Sequence, residues 1–430
     1  MRIARLVCCG AAMLLLVGAG RPLPLHGQNP PAAPAAPKPG SQTPVFRATT
    51  ALVEVDAVVL DRDGKFVPGL VAEDLELYED GKPQQIQNFY LVTHDAAQRA
   101  TGAPGELTPE RARRVFVFLF DEEHLSNDSL LRVTRGAENF IQTQMGPGDF
   151  GGVVAAGRMH RGRLSSDKNE LIAGVRSVRP AFDNRQALMR TFTEFPRIPS
   201  ELDASRITDG ARELVVEIGI TACREDPFQC EAAGGLNQVE NMVERKARNY
   251  IRVARVMTTN TIQNIRYVTN GLSRIPGRKT IVLLSEGFFV AESRTILQTV
   301  AGQAARAGTA IYSIDGRGQV HGTGPMPDAS DPNMARSTSF DTNEDGPAIL
   351  TANTGGFRLA NIDDIGRALN IVARDTSTYY VLGYQPTNKT MDGKYRKIEV
   401  RPTADGLKVR ARKGYIAMPL PTLELARGGK

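Results

Sequence analysis

Residues 115–123 read VFVFLFDEE, an unbroken run of six apolar residues followed by three acids. A short run of this kind, rich in Val and Phe, predicts a strand that is buried on both faces, as in a parallel sheet between helices. In open α/β sheets, ligands bind just beyond the carboxyl ends of the strands. Asp121, Glu122 and Glu123 occupy that place, so the stretch predicts both a fold class and the position of a site.

The composition is typical of a folded protein with two or three domains. The chain has 430 residues, of which 41% are hydrophobic and 23% charged, so a sizeable core is feasible. The formal net charge is +6 and the isoelectric point is ≈ 9.1. Lys and Arg are scattered along the chain and not clustered with aromatic residues, so we expect no nucleic-acid partner.

The first residues have the pattern of a secretory leader. Two arginines precede residues 6–20, which are apolar and small, and this pattern predicts a signal peptide over residues 1–27. A membrane anchor is the alternative, but the run is shorter than the ~20 residues that a spanning helix needs. We therefore expect an exported protein, periplasmic or extracellular, with no transmembrane segment after cleavage.

Two cysteines follow the leader, Cys223 and Cys230, with Pro227 favouring a turn between them. In an oxidising compartment such a pair is expected to form a local disulfide. A metal site is disfavoured because neither a C-x-x-C motif nor a nearby histidine accompanies the pair. Two free thiols are the remaining alternative.

The rest of the chain divides by composition and periodicity. Residues 28–45 form a Pro/Ala-rich linker, 46–93 a β segment, 94–110 a second linker, 111–376 an α/β domain with an insertion at about 182–234, 377–416 a second β segment and 417–430 a tail. Each β segment supplies about three strands, too few for a core of its own. We expect the two segments to pair into one sandwich-like module, with the α/β domain inserted between them.

One long helix is predicted within the α/β domain. From residue 236 to residue 272, apolar residues recur every three or four positions, which predicts a helix over about 235–273. Thr261 alone interrupts this apolar stripe. The arginines of the segment lie mostly off the stripe and are interpreted as a solvated basic face.

The order of elements, with acids at the strand ends, resembles a von Willebrand factor type A domain, a doubly wound, Rossmann-like α/β fold. The wider layout is similar to the VWFA-related exported proteins of the acidobacterial type. Five segments carry this closer likeness: VDAVVLDRDGKFVPGLVAEDLELYEDGKPQQI (55–86), VFLFDEEHLS (117–126), GRKTIVLLSEGF (277–288), TANTGG (351–356) and STYYVLGYQP (377–386).

The resemblance implies a degenerate metal-ion-dependent adhesion site. Type A domains bind a divalent cation through an Asp-x-Ser-x-Ser loop, a later Thr and a later Asp, which are hard oxygen ligands suited to Mg²⁺. Asp121 matches the first Asp, whereas Glu123 and Leu125 stand where the two serines belong. Glu286 replaces the later Asp, and Leu125 cannot be a ligand.

Two interpretations of this site follow. In the first, Asp121, Glu123 and Glu286 bind Mg²⁺ or another divalent cation with altered geometry. In the second, Arg185 fills the site as a fixed cation, because residues 182–188 are the loop that should supply the Thr and place Arg185 or Gln186 there. One histidine beside a core strand, His124, is more often structural than a ligand.

The resemblance implies a non-catalytic, adhesion-type function, in which the top of the type A domain binds a protein partner. One alternative is a metal-dependent hydrolase or phosphatase, since Asp121-x-Glu123 is similar to the start of an Asp-x-Asp phosphatase loop. An inert envelope scaffold is a third possibility. Residues 341–346 begin like a calcium-binding EF-hand loop, but Pro347 and Ala352 at later positions disfavour that function.

Overall fold

The fold is described from a computed structural model that covers residues 52–94, 113–288, 294–318, 346–362 and 364–418. The side chains of residues 182–187 and 294 are outside this description. The predicted leader, the first linker, and Asp341, Asn343 and Asp345 of the EF-hand-like segment also lie outside the described residues.

The described strands and helices are mixed along the chain. The strands are β1 (Val53–Leu60), β2 (Leu75–Glu79), β3 (Lys82–Gln84), β4 (Ile86–Thr93), β5 (Val115–Phe120), β6 (Phe150–Ala155), β7 (Arg158–Met159), β8 (Lys279–Ser285), β9 (Thr309–Asp315), β10 (Arg358–Leu359), β11 (Thr378–Tyr384), β12 (Tyr395–Pro402), β13 (Lys408–Ala411) and β14 (Gly414–Ile416). The helices are α1 (Asn127–Thr143), α2 (Lys168–Arg176), α3 (Phe182–Thr193), α4 (Glu201–Thr208), α5 (Arg212–Glu225), α6 (Pro227–Ala232), α7 (Leu236–Leu272), α8 (Arg294–Arg306), α9 (Gly346–Thr354) and α10 (Ile365–Asp375).

Six strands form a mostly parallel sheet in the order β10-β9-β8-β5-β6-β7. Only the edge strand β7 runs antiparallel to its neighbour. Successive residues of β5 point to opposite faces, so Phe118 packs with α1, α2 and α10, whereas Val117 packs with α7, α8 and α9. The apolar run of β5 is therefore buried on both sides, as its sequence predicts.

Two four-stranded antiparallel sheets accompany the parallel one, in the orders β13-β1-β11-β4 and β14-β12-β2-β3. Each contains strands from before and from after the parallel sheet in the chain. Val55 and Leu382 of the first sheet share one core with Leu77 and Ile398 of the second. Neither end of the chain could build this core alone, because each supplies only half of each sheet.

Helices α3, α4 and α5 pack on the first half of α7 around a separate apolar core. Cys223 and Cys230 form a disulfide that joins α5 to α6, as the sequence predicts. The prediction of a loop at residues 182–188 is wrong, because this segment is the beginning of α3. Arg185 is therefore a helical residue, and its side chain lies outside the description.

Helix α7 connects this helical core to the parallel sheet. Val243, Ala247 and Tyr250 belong to the helical core, whereas Ile265 and Val268 pack on the sheet about 25 Å further along at ~1.5 Å per residue. The helix observed at Leu236–Leu272 confirms the one predicted from periodicity. Within the described residues, no helix combines the length and the hydropathy that crossing a bilayer requires.

Glu201 is an unpaired acid in the helical core. It is the first residue of α4 and is only 4% exposed. Its Oε2 atom has no hydrogen-bond partner within the described residues. Burial raises the pKa of Glu201 from 4.5 to about 8, because a charged carboxylate without partners is unstable away from water.

This raised pKa predicts that the protein loses stability as the pH rises from about 4.5 to about 8. The folded state holds a proton that the unfolded state releases over that window, so the free energy of unfolding should fall by about 4 kcal/mol. Glu201→Gln should remove this dependence. Urea unfolding at about pH 4.5 and about pH 8 measures this pH dependence, with Glu213→Gln as control because Glu213 is exposed. Equal pH dependence of both variants would contradict the assignment.

Candidate functional site

The candidate site lies where β5 and β8 end side by side. β5 is the first strand of the parallel sheet in the chain, and β8 and β6 flank it, so the chain order reverses at this point. Crevices at such reversals are the usual ligand positions of open α/β sheets. Asp121 follows β5, and its N–H donates to the carbonyl of Leu284 in β8 at 3.0 Å. We call this region the carboxyl edge, with Asp121, Glu122, Glu123, Glu286 and Asp315 as its acids.

Asp121 is enclosed by donors from the protein itself. Both carboxylate oxygens accept hydrogen bonds, and the residue is 4% exposed. Thr261 donates to Oδ1 at 2.7 Å, Ser285 donates to Oδ2 at 2.7 Å, and His124 Nδ1 lies 3.0 Å from each oxygen. A carboxylate has about four lone-pair positions, and three donors face them, namely the two hydroxyls and Nδ1 of His124, which is shared between both oxygens.

These contacts keep Asp121 ionised although it is buried. Burial acts to raise its pKa, but the charge of His124 and the hydrogen bonds from His124, Ser285 and Thr261 outweigh burial and lower it. A carboxylate with a lowered pKa is a weak base. The carboxylate of Asp121 is therefore suited to joining β5, β8 and α7, and poorly suited to removing a proton from a substrate.

Thr261 was not predicted as a site residue, although the sequence carried a signal for it. It is the polar residue that interrupts the apolar stripe of α7, and it is 2% exposed. Its hydroxyl reaches across 140 positions of sequence to Asp121. Thr258 and Thr269 are also buried on α7, so a buried threonine by itself did not identify the acceptor, which depended on how α7 packs.

The neighbouring acids also have protein partners. Glu286 Oε1 accepts from the N–H of Ser126 at 2.7 Å, where Ser126 caps the beginning of α1, a position that favours negative charge. Glu123 Oε1 accepts from the amide of Asn260 at 3.0 Å. Glu122 accepts from the N–H groups of Ala156 and Arg179. Each of the three predicted ligands, Asp121, Glu123 and Glu286, therefore has at least one hydrogen-bond donor from the protein.

Burial raises the pKa of Glu122, and hydrogen bonds from Ala156 and Arg179 counter it only in part. The nearby charges of Asp121 and Glu123 raise it further. The carboxyl edge therefore contains one acid held ionised and, beside it, one that is easier to protonate. The shifts are opposite because Asp121 faces the charge of His124 and three donors, whereas Glu122 has two donors and two negative neighbours.

Arginines do neutralise one acid of the carboxyl edge. Asp315, at the end of β9, is 5% exposed and pairs with Arg317 at 2.5 Å and with Arg358 at 3.1 Å. Arg358 lies in the edge strand β10. One interpretation of the sequence predicts that Arg185 neutralises the acids after β5 and β8. Arg317 and Arg358 neutralise Asp315, at the end of the neighbouring strand β9, in this way.

The donor set does not fit a divalent cation at Asp121. Mg²⁺ needs oxygen lone pairs that are free to coordinate, and those of Asp121 face hydroxyls and an imidazole. Leu125, at the position of the second motif serine, is 1% exposed in the apolar core. Within the described ranges, no group of three or more His, Cys, Asp or Glu residues is arranged to hold a metal ion.

The geometry also gives little support to nucleophilic chemistry. Ser285 is 1% exposed, and its hydroxyl donates to Asp121 while accepting from the N–H of Gly287 at 3.0 Å. His124 contacts the same carboxylate and lies with its ring 5.5 Å from that of Phe288. A reactive serine needs a base on its own hydroxyl and access to substrate, and Ser285 is buried against a weak base.

Comparison with protein-family models and with curated proteins identifies no relative of this chain. No protein-family model matches it, and no curated protein matches it either. The likeness to type A domains thus stays a prediction, and function is inferred from the residues and their contacts.

Thr261→Val should destabilise the protein by about 1.5–3 kcal/mol, the usual worth of a hydrogen bond to a charged group. Valine keeps the shape of threonine but leaves a buried carboxylate one donor short. Thr259→Val is the matched control, because Thr259 is exposed on the same helix and bonds only to the carbonyl of Arg255. Denaturant unfolding measures both, and equal losses would contradict the role given to Thr261.

Because the donors of Asp121 are internal, Mg²⁺, Mn²⁺ and Ca²⁺ should leave the melting temperature unchanged. A cation that binds only the folded state would raise stability by ~2.7 kcal/mol at 100 times its dissociation constant. Thermal melting at matched ionic strength measures this effect. A rise that disappears in Asp121→Asn would show that a cation displaces the hydroxyls.

Proposed function

We propose that this chain is an exported, non-catalytic interaction protein, whose parallel sheet is a type A domain that binds a protein partner at the carboxyl edge. The strand order supports the type A part. Counted along the chain, the six strands of the parallel sheet lie in the order three-two-one-four-five-six, with the third strand antiparallel at the edge. That is the usual order of a doubly wound sheet, and helices cover both of its faces.

One observation carries the non-catalytic part, namely that protein donors occupy the carboxylate of Asp121. A catalytic or metal-binding acid must present lone pairs to a ligand, whereas those of Asp121 join β5, β8 and α7. Such a bonded centre gives a rigid surface whose shape is set before a partner arrives. Preformed surfaces bind with a smaller entropic cost, which suits an interaction protein better than an enzyme.

An apolar residue beside the carboxyl edge supports a protein partner. Val256 is 48% exposed and lies one helical turn before Asn260, which donates to Glu123. An exposed valine next to a hydrogen-bonded polar pair combines apolar and polar contacts, as protein interfaces do. We define Val256, Asn260 and Glu123 as the edge surface.

The disulfide between Cys223 and Cys230 supports export. Disulfides persist in oxidising compartments and are rare in reducing ones. Together with the leader pattern of residues 1–27, it favours a periplasmic or extracellular location.

The proposal predicts that Val256→Ser combined with Glu123→Gln will weaken capture of the partner at least tenfold while leaving the fold intact. The measurement is quantitative affinity capture from the envelope fraction of the native cell, followed by titration of the purified partner. Ile220→Ser is the matched control, because Ile220 has the same 48% exposure as Val256 but lies in α5.

Equal recovery of every captured protein by wild type and by the edge variant would contradict the proposed role of the edge surface. Turnover in a panel of phosphatase and esterase substrates, lost in Ser285→Ala, would contradict the non-catalytic proposal and favour the hydrolase. No partner in any fraction and no turnover would favour the inert scaffold.

A further inference from the structure

Most of helix α7 carries positive side chains and no negative ones. From Arg245 to Leu272 it carries six Lys or Arg residues and no Asp or Glu. Five of the six are arginines, and all five are exposed. We call them the arginine row, which consists of Arg245, Arg248, Arg252, Arg255 and Arg266.

The arginine row is straight because of its spacing. Steps of three and four residues, followed by one of three turns, keep side chains on one side of a helix that has 3.6 residues per turn. The core residues Val243, Ala247 and Tyr250 lie on the opposite side of the first half, as Ile265 and Val268 do on the second. From Arg245 to Arg266 the row extends about 32 Å at ~1.5 Å per residue.

Few negative charges balance this row. Glu244 pairs with Arg248 at 3.4 Å, but it also pairs with Arg212 of α5 at 2.6 Å. Arg252 donates to the neutral side chain of Asn249 at 2.7 Å. Arg255 takes part in a further interaction within the fold, so the excess positive charge is attributed to the other four. Their fields add along the helix, because no acid lies between them.

We propose that the arginine row is a docking surface for an anionic phospholipid bilayer. A flat, negatively charged surface can meet a straight row of arginines along its whole length at once. Each Lys or Arg near an anionic leaflet contributes ~1 kcal/mol of attraction, which decays within a Debye length. This inference is independent of the function proposed for the edge surface, since no arginine of the row belongs to that surface.

The shape of the row favours a bilayer over other anionic partners. It follows the exposed side of a single helix, which encloses neither a base nor an acidic side chain. Single-stranded nucleic acids are usually held by aromatic stacking platforms, and the exposed residues between these arginines on the same side of the helix, Thr259 and Gln263, are not aromatic. Tyr267, which is 51% exposed beside Arg266, is of the amphipathic kind that is enriched at bilayer interfaces.

The test is co-sedimentation of the full chain with phosphatidylcholine vesicles that contain, or lack, about 30% phosphatidylglycerol, in about 0.1 M salt where the Debye length is ~10 Å. Every variant carries the same N-terminal segment, so the contribution of that segment cancels when the variants are compared, and the uncharged vesicles measure its apolar part. We expect Arg248→Gln combined with Arg252→Gln to weaken binding to the anionic vesicles about 25-fold, at about fivefold per arginine.

Two further variants decide whether position and charge are the cause. Arg163→Gln with Arg176→Gln makes the same change of net charge at side chains that are 62% and 66% exposed, and it should bind like wild type. Arg248→Lys with Arg252→Lys should also bind like wild type, because bilayer attraction depends on charge and not on the guanidinium fork.

Three outcomes would overturn the proposal. The first is equal binding of wild type to both kinds of vesicle. The second is an equal loss in the control pair, which would mean general attraction by the net charge. The third is row-dependent binding to DNA or to polyglutamate without row-dependent binding to vesicles. If no protein partner binds the edge surface but row-dependent vesicle binding is observed, the proposed protein interaction is contradicted and the bilayer proposal is supported.

Discussion

The described structure depends on one buried charge, the carboxylate of Asp121. A charge without partners would be costly at 4% exposure, so the surrounding chain must bring donors to it. Those donors come from three separate stretches, namely the turn after β5, the end of β8 and the middle of α7. Satisfying this single carboxylate thereby fixes the relative positions of the two central strands and the longest helix.

Helix α7 extends that constraint to helices α3, α4 and α5. Its second half is held by the sheet and by Thr261, while its first half forms one wall of the helical core. These three helices are therefore oriented by a continuous helix, which bends less readily than a loop. The outer side of the same helix carries the arginine row, so the side chains bound to the core and those exposed to solvent are positioned by one rigid element.

The two antiparallel sheets follow from a different constraint, the shortage of strands at each end of the chain. Both sheets need strands from both ends, so residues before and after the parallel sheet must meet. Arg278, at the beginning of β8, connects the two parts, since it donates to Tyr312 at 2.7 Å and lies 4.5 Å over the ring of Tyr379 in β11. The parallel sheet and the β strands that flank it are thus packed directly against each other.

The sequence by itself determined the elements whose apolar residues repeat with the period of a strand or a helix. These are the buried strand after residue 114, the helix through residue 272 and the strands at both ends of the chain, because burial on one or two faces imposes a repeat that neighbouring residues reveal. The disulfide was predicted separately, from the two cysteines and the expected oxidising compartment. The two-residue strand β10 and the short helix α9 have no such repeat, and neither was predicted. The resemblance to type A domains predicts a loop at residues 182–188, which instead belong to α3. Only the tertiary structure decided which atoms satisfy Asp121 and that Arg358 reaches Asp315. Apart from the contact between Asp121 and His124, which are three positions apart, those contacts join residues 43 to 164 positions apart, and no local pattern specifies which distant donor a buried acid will find.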